Sequence, residues 1–197
     1  MLGRRVSRCS VRGASALLVS VTCALVLLAG AGLGAQAAKP LDFEVKAAYL
    51  FNFSRFVTWP PPTPAQGDVF SVCVLGRDPF GSALKNTLAG ENVDGRAVVA
   101  RTIRKVEEAL ACRILFVSGS ENARVPAILE SLGEARILTV SDAPGFTTRG
   151  GMIQFVSEGR NVRFEVNLTA AERAGLALSA DLLRVAVKVM KGPAPKA

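Results

Sequence analysis

Hydrophobic and polar positions follow two periods along this chain of 197 residues, and the switches between them mark its elements. Over residues 42–59, Phe43, Ala47, Leu50, Phe53 and Val57 recur at three- and four-residue spacings, which predicts an amphipathic helix. Pro60, Pro61 and Pro62 cannot continue a helix and open a polar connector to Asp68. Residues 69–76 are β-rich and mostly apolar, as in a central strand covered on both faces. Asp78 then stands where a helix N-cap is expected and Pro79 at the first helical position, so a helix is predicted to run to about Leu88. A glycine turn between strand and helix can cradle a phosphate. These glycines match neither a dinucleotide fingerprint nor a P-loop, and capping accounts for them without a ligand.

The alternation continues with a strand over residues 97–103, a helix over 106–111, a strand over 113–117, a helix over 123–132 and a strand over 137–141. Residues 152–157 and 161–168 flank Glu158-Gly159-Arg160 and predict an antiparallel hairpin. A last helix is predicted over residues 180–190. This order argues for an α/β fold: a single-domain three-layer sandwich, with a mostly parallel sheet, helices on both faces and a C-terminal antiparallel hairpin. The loop over residues 142–151 follows a strand, where open α/β sheets place their binding crevices.

The amino end reads as a cleavable signal peptide. Arg4, Arg5, Arg8 and Arg12 precede an apolar, small-residue run over residues 14–33, and Ala35-Gln36-Ala37 supplies a cleavage site. The domain reading is therefore signal peptide over residues 1–37, α/β domain over 38–191 and flexible tail over 192–197. An uncleaved anchor is the rival reading, because the apolar run just reaches spanning length; the small-residue site favours cleavage and export from the cytoplasm, with no membrane span in the mature chain. Removing the signal takes four of 24 basic residues and none of 16 acids, so the mature net charge is +4 rather than +8. No basic run interleaved with aromatics occurs, so nothing in the pattern points to nucleic acid.

Two of the four cysteines, Cys9 and Cys23, lie in the signal. Cys73 and Cys112 remain, and an oxidising compartment admits either one bridge or two buried thiols. Histidine is absent, which excludes Ser-His-Asp, Cys-His and His-based zinc chemistry. No cofactor or metal site is expected. Four of the ten Phe, with the only Tyr and the only Trp, fall in residues 42–59. They serve either as core against a sheet or as a surface for a partner.

Four stretches together, residues 46–60, 73–81, 112–118 and 150–153 with 163–168, resemble the YfiR-like family of bacterial periplasmic proteins. The aromatic helix ending in Trp59-Pro60 and the Phe164-Glu165-Val166-Asn167-Leu168 strand are the most specific, and the stretches span nearly all of the mature chain. The resemblance implies a non-catalytic regulator that binds the periplasmic sensor region of an inner-membrane diguanylate cyclase, lowering cyclic-di-GMP and biofilm formation. It implies release by an OmpA-like outer-membrane lipoprotein or by redox damage, an α/β sandwich, a homodimer, and a disulfide between Cys73 and Cys112. A second cysteine pair found in some members around Gly150-Gly151 is missing here, which weakens any redox switch resting on it.

The resemblance further assigns partner contact to the hairpin region, at Ile153, Glu165 and Arg173. For Ile153 the alternative is core, and for Glu165 a buried or half-buried acid paired with Arg163 or with an arginine of the last helix. A small-molecule sensor or carrier using the crevice of residues 142–151 is the second functional class. An enzyme is third, with no paired carboxylates and no Cys-x-x-Cys; Asp142 and Arg149 read as a surface ion pair.

Overall fold

The computed structural model describes residues 39–192, so the predicted signal peptide and most of the predicted tail lie outside the described residues. Helix α1 (Lys39–Phe56) leads into a two-residue strand, β1 (Val57–Thr58). The sheet then receives β2 (Phe70–Leu75), β3 (Asn92–Val93), β4 (Arg96–Ile103), β5 (Ile114–Val117), β6 (Leu138–Ser141), β7 (Ile153–Glu158), β8 (Asn161–Asn167) and β10 (Lys188–Met190). Helices α2 (Ser82–Leu88), α3 (Val125–Leu132), α4 (Leu168–Arg173) and α5 (Ala180–Val185) connect or flank them, and β9 (Ala177–Leu178) pairs antiparallel with β1. The eight-stranded sheet has the order β10-β8-β7-β6-β5-β2-β4-β3, parallel except for the β7–β8 hairpin and the short β3–β4 pair. This is the mixed α/β, mostly parallel architecture expected from the alternation of elements.

Two cores, one on each face, make the sandwich. Odd and even positions of β2 part company: Phe70, Val72 and Val74 join the core under α1 and α2, whereas Cys73 and Leu75 join the core under α3. Strand β5 does the same with Ile114 and Phe116 against Leu115 and Val117. Alternate side chains point to opposite faces, so such a strand needs cover on both sides and reads as an unbroken apolar run. In α1, Ala47, Leu50 and Phe53 are fully buried, and Phe53 packs edge-on to Phe164 and stacked on Phe155. Phe43, Tyr49, Phe51 and Trp59 are half-buried against the same core and Phe56 is exposed, so the aromatic segment packs on the sheet but is only partly core.

Several boundaries differ from the sequence reading, each for a tertiary reason. The first helix ends at Phe56, three residues early, because Val57 and Thr58 pair with Leu178 and Ala177 while the Trp59 indole N–H donates to the Ser54 carbonyl at 2.9 Å. The helix placed at Pro79 starts at Ser82; Asp78 instead accepts the Phe80 N–H at 2.8 Å and shapes the turn before it. Residues 106–111 form a 3-10 helix, and 119–124 another that continues into α3. The predicted last helix over residues 180–190 stops at Val185, and Lys188–Met190 becomes an edge strand parallel to β8. Backbone bonding to β8 outweighs helix continuation there, helped by the β-formers Val187 and Val189.

A disulfide joins Cys73 on β2 to Cys112, just before β5, with Cα atoms 5.9 Å apart and both residues fully buried. Nearby, the buried Gln66 amide donates to the carbonyls of Cys112 at 3.1 Å and Arg136 at 3.3 Å, tying the proline-rich connector to the lower end of the sheet. Arg113 is buried there too, donating to the Pro60 carbonyl at 3.0 Å with its guanidinium 5.7 Å from the Trp59 ring centre. Burial, then repulsion from Arg96, lowers the Arg113 pKa from its ordinary value; Asp94 opposes this and Arg136 adds to it.

The bridge closes a loop spanning a separation of 39 residues. Loop entropy puts its stabilisation at about 4 kcal/mol. A Cys73→Ala, Cys112→Ala double variant is expected to lose about 3–4 kcal/mol in urea unfolding. Because both sulfurs are buried, the folded wild-type protein is expected to resist millimolar reductant until denaturant is added, as followed by thiol titration.

Candidate functional site

The hairpin region brings together some of the residues assigned to partner contact and separates others. Ile153 opens β7, opposite Val166 of β8, and its side chain is fully buried in the core shared with α1. It therefore occupies its alternative role, and its side chain offers no surface in this state. Glu165 is half-buried on the opposite face of β8, set by register between Gln154 of β7 and Lys188 of β10. Its carboxylate accepts from the Thr147 hydroxyl at 3.3 Å. The expected partners do not reach it: Arg163 lies 3.9 Å from Glu158, and Arg184 of α5 pairs with Asp181 at 2.7 Å. The neighbour from the last segment is Lys188, because that segment is a strand.

Arg173 sits exposed at the end of α4 and lines a cavity of about 610 Å3 together with Leu129, Thr147, Met152, Asn167 and Met190. Asn167 holds this region in place with both ends of its amide: Oδ1 accepts from Ala170 N at 3.0 Å and caps α4, while Nδ2 donates to the Thr147 carbonyl at 2.9 Å. Thr147 thus stands between Glu165 and the Arg173 cavity. Gly151 lets this loop fold back, since a Cβ there would overlap the Phe146 ring. Thr147 drew no notice in the sequence, since a buried loop threonine carries no motif; Asn167 stood within the stretch of residues 164–168, but its capping and loop-holding role depends on contacts that the stretch does not signal.

The loop over residues 142–151 is built differently from the surface crevice expected of it. Phe146 and Thr147 are buried, and Arg149 donates to the Asn122 carbonyl, the Asn122 side chain and the Pro144 carbonyl, each at 2.9 Å. Arg149 does not pair with Asp142. Asp142 instead accepts from Lys46 of α1 at 2.8 Å, with the two side chains 23% and 13% exposed. The Lys46 ammonium also lies 4.6 Å from the Phe43 ring centre. The sequence separation of 96 between these partners explains why the nearer arginine was the expected one.

Among the described residues, no group of three or more His, Cys, Asp or Glu could hold a metal ion, and no helix is long and apolar enough to cross a membrane. The fold and the hairpin face define a small α/β domain with a largely parallel sheet and a half-open polar patch near one edge. The family profile described as YfiR/HmsC-like matches residues 43–187, and the chain belongs to that family. Two solved structures share the fold. A conserved domain protein from Vibrio cholerae superposes with a TM-score of 0.53 at 12% identity, over 75% of this chain and 60% of that one. The ABC domain in complex with L-Trp from Streptococcus pneumoniae gives 0.52 at 11% identity, over 73% and 60%. The alignment therefore spans less than two thirds of either protein, and at these identities the likeness is one of fold.

The Lys46–Asp142 pair ties α1 to the end of β6. Removing one partner leaves the other charge poorly solvated, so the two substitutions should not add. A double-mutant cycle of Lys46→Met and Asp142→Leu in urea unfolding is expected to give a coupling of about 1–3 kcal/mol. A value near zero would mean that water screens the pair completely.

Proposed function

We propose that this protein is a periplasmic, non-catalytic regulator that binds the periplasmic sensor region of an inner-membrane diguanylate cyclase and holds it inactive, lowering cyclic-di-GMP. The family match over residues 43–187 carries this reading, because it takes in the whole domain rather than one motif. Export follows from the predicted signal peptide over residues 1–37. Release by an OmpA-like outer-membrane lipoprotein and assembly as a homodimer belong to the same proposal.

The docking face we propose is the half-open face of β8 and its neighbours, centred on Glu165 and extending to Arg173. Both residues are accessible, and they carry opposite charges on either side of Thr147. Such an arrangement favours one orientation of a partner bearing the complementary pattern, and charge pairs of this kind set specificity more than raw affinity. Ile153 supports the face from behind as core.

Deleting the gene in the native bacterium is expected to raise cellular cyclic-di-GMP, and a plasmid copy to reverse the rise. A Glu165→Arg copy, with an unfolding midpoint like wild type, is expected to fail to reverse it and to bind the purified sensor region about tenfold or more weakly. Unchanged affinity in a folded variant would remove Glu165 from the interface. An unchanged cyclic-di-GMP level on deletion, in a strain that expresses the protein, would remove the regulatory reading.

A further inference from the structure

The strand order reverses between β2 and β5: the chain leaves β2 for β4 on one side and later places β5 on the other. In open α/β sheets the loops at such a reversal diverge and leave a crevice beyond the carboxyl ends of the strands. Here the diverging loops start at Gly76 and Ser118. They enclose a cavity of about 470 Å3 lined by Phe43, Arg77, Pro79, Ser118, Ser120 and Asp142. That size lies within the range of about 300–1,000 Å3 usual for small-molecule sites.

The crevice is well braced. Ser120 Oγ accepts the Arg77 N–H at 3.0 Å, which staples one loop to the other. Gly76, at φ +93°, makes the approach possible, since a Cβ there would come within 2.6 Å of Ser120 Oγ. Ser118 is only 4% exposed, and its hydroxyl oxygen accepts from Ser120 N at 3.4 Å and from Ser120 Oγ at 3.3 Å. The Ser118 side chain lines the cavity, and its hydroxyl shares its hydrogen bonding with Ser120 alone among the described side chains.

The charges decide what such a crevice takes. Asp142 is already matched by Lys46 at 2.8 Å. Arg77 is exposed and has no ion-pair partner among the described residues, so it supplies the one uncompensated charge of the lining. Phe43 and Pro79 give an apolar wall beside it. We propose that this crevice binds a small organic carboxylate with an apolar body: the carboxylate is held by the Arg77 guanidinium and the Ser118 hydroxyl, and the body lies against Phe43 and Pro79. Paired cation and hydroxyl donors suit a planar carboxylate, and a guanidinium offers it two parallel N–H groups. A ligand here touches α1, through Phe43, and the ends of β2, β5 and β6 at once. The proposal stands apart from the regulatory reading and does not need the cyclase.

The test is calorimetric titration of the purified protein with phenylacetate, with benzyl alcohol as the matched body without charge and inorganic phosphate as charge without body. Saturable phenylacetate binding is expected, with benzyl alcohol and phosphate each weaker by about tenfold or more. Arg77→Gln, at an exposed position, is expected to cost about tenfold or more in phenylacetate affinity while leaving the unfolding midpoint unchanged. No saturable heat up to about 10 mM phenylacetate, a bound signal indifferent to Arg77→Gln, or phosphate binding as tightly as phenylacetate would each overturn the proposal.

Discussion

A parallel strand satisfies its backbone only through neighbours on both sides, and its side chains only through layers on both faces. Strands β2 and β5 sit where both demands are met at once, with β4 and β6 outside them, α1 and α2 against one face and α3 against the other. Burying both faces of a short strand removes about 1.5–3 kcal/mol of exposed apolar side chain per large residue. The helices are therefore held to the sheet more by this burial than by their own length, since α2, α4 and α5 have only seven, six and six residues. Isolated helices so short do not persist in water. The Cys73–Cys112 bridge lies within the α3-side core and fixes the chain where β5 enters beside β2.

Placing β2 and β5 at the centre has a direct consequence for chemistry. Crossovers that depart to opposite sides of β2 leave a gap at the carboxyl end of the sheet, and the chain lines that gap with Arg77, Ser118 and Ser120 beside an apolar wall of Phe43 and Pro79. Lys46 reaches the same end from α1 and neutralises Asp142. A half-buried ion pair contributes little net stability when set against well-packed apolar groups. Its place here is to hold α1 in one orientation over the sheet end.

At the other side of the molecule the sheet is finished by β10, and that strand changes the surroundings of Glu165. Had the chain remained helical to Met190, an arginine of that helix would have been the natural partner for the acid. As a strand it lays Lys188 beside Glu165 and Met190 beside Asn167 in register. Glu165 is left with a hydroxyl contact from Thr147 rather than an ion pair, and it stays accessible on the half-open face.

Much of the order of elements was legible in the sequence, because it depends on local periodicity. The mostly apolar, β-rich run of residues 69–76 pointed to a strand covered twice, and the three- and four-residue spacing of Ala47, Leu50 and Phe53 to a helix with one buried face. What the residues left open was decided by distance in space. The end of α1 at Phe56 depends on pairing with Leu178, and the strand at Lys188–Met190 depends on β8 offering a free edge. The Lys46–Asp142 pair joins residues 96 apart, and the Thr147 contact to Glu165 needs the loop folded back over Gly151. The sequence by itself determined which segments are strands and helices and which side chains seek the core, since burial follows the period of the pattern. The partners of the charged and polar groups were decided only by the tertiary structure, because electrostatic and hydrogen-bond partners are chosen by proximity, and proximity between segments far apart in the chain carries no local signal.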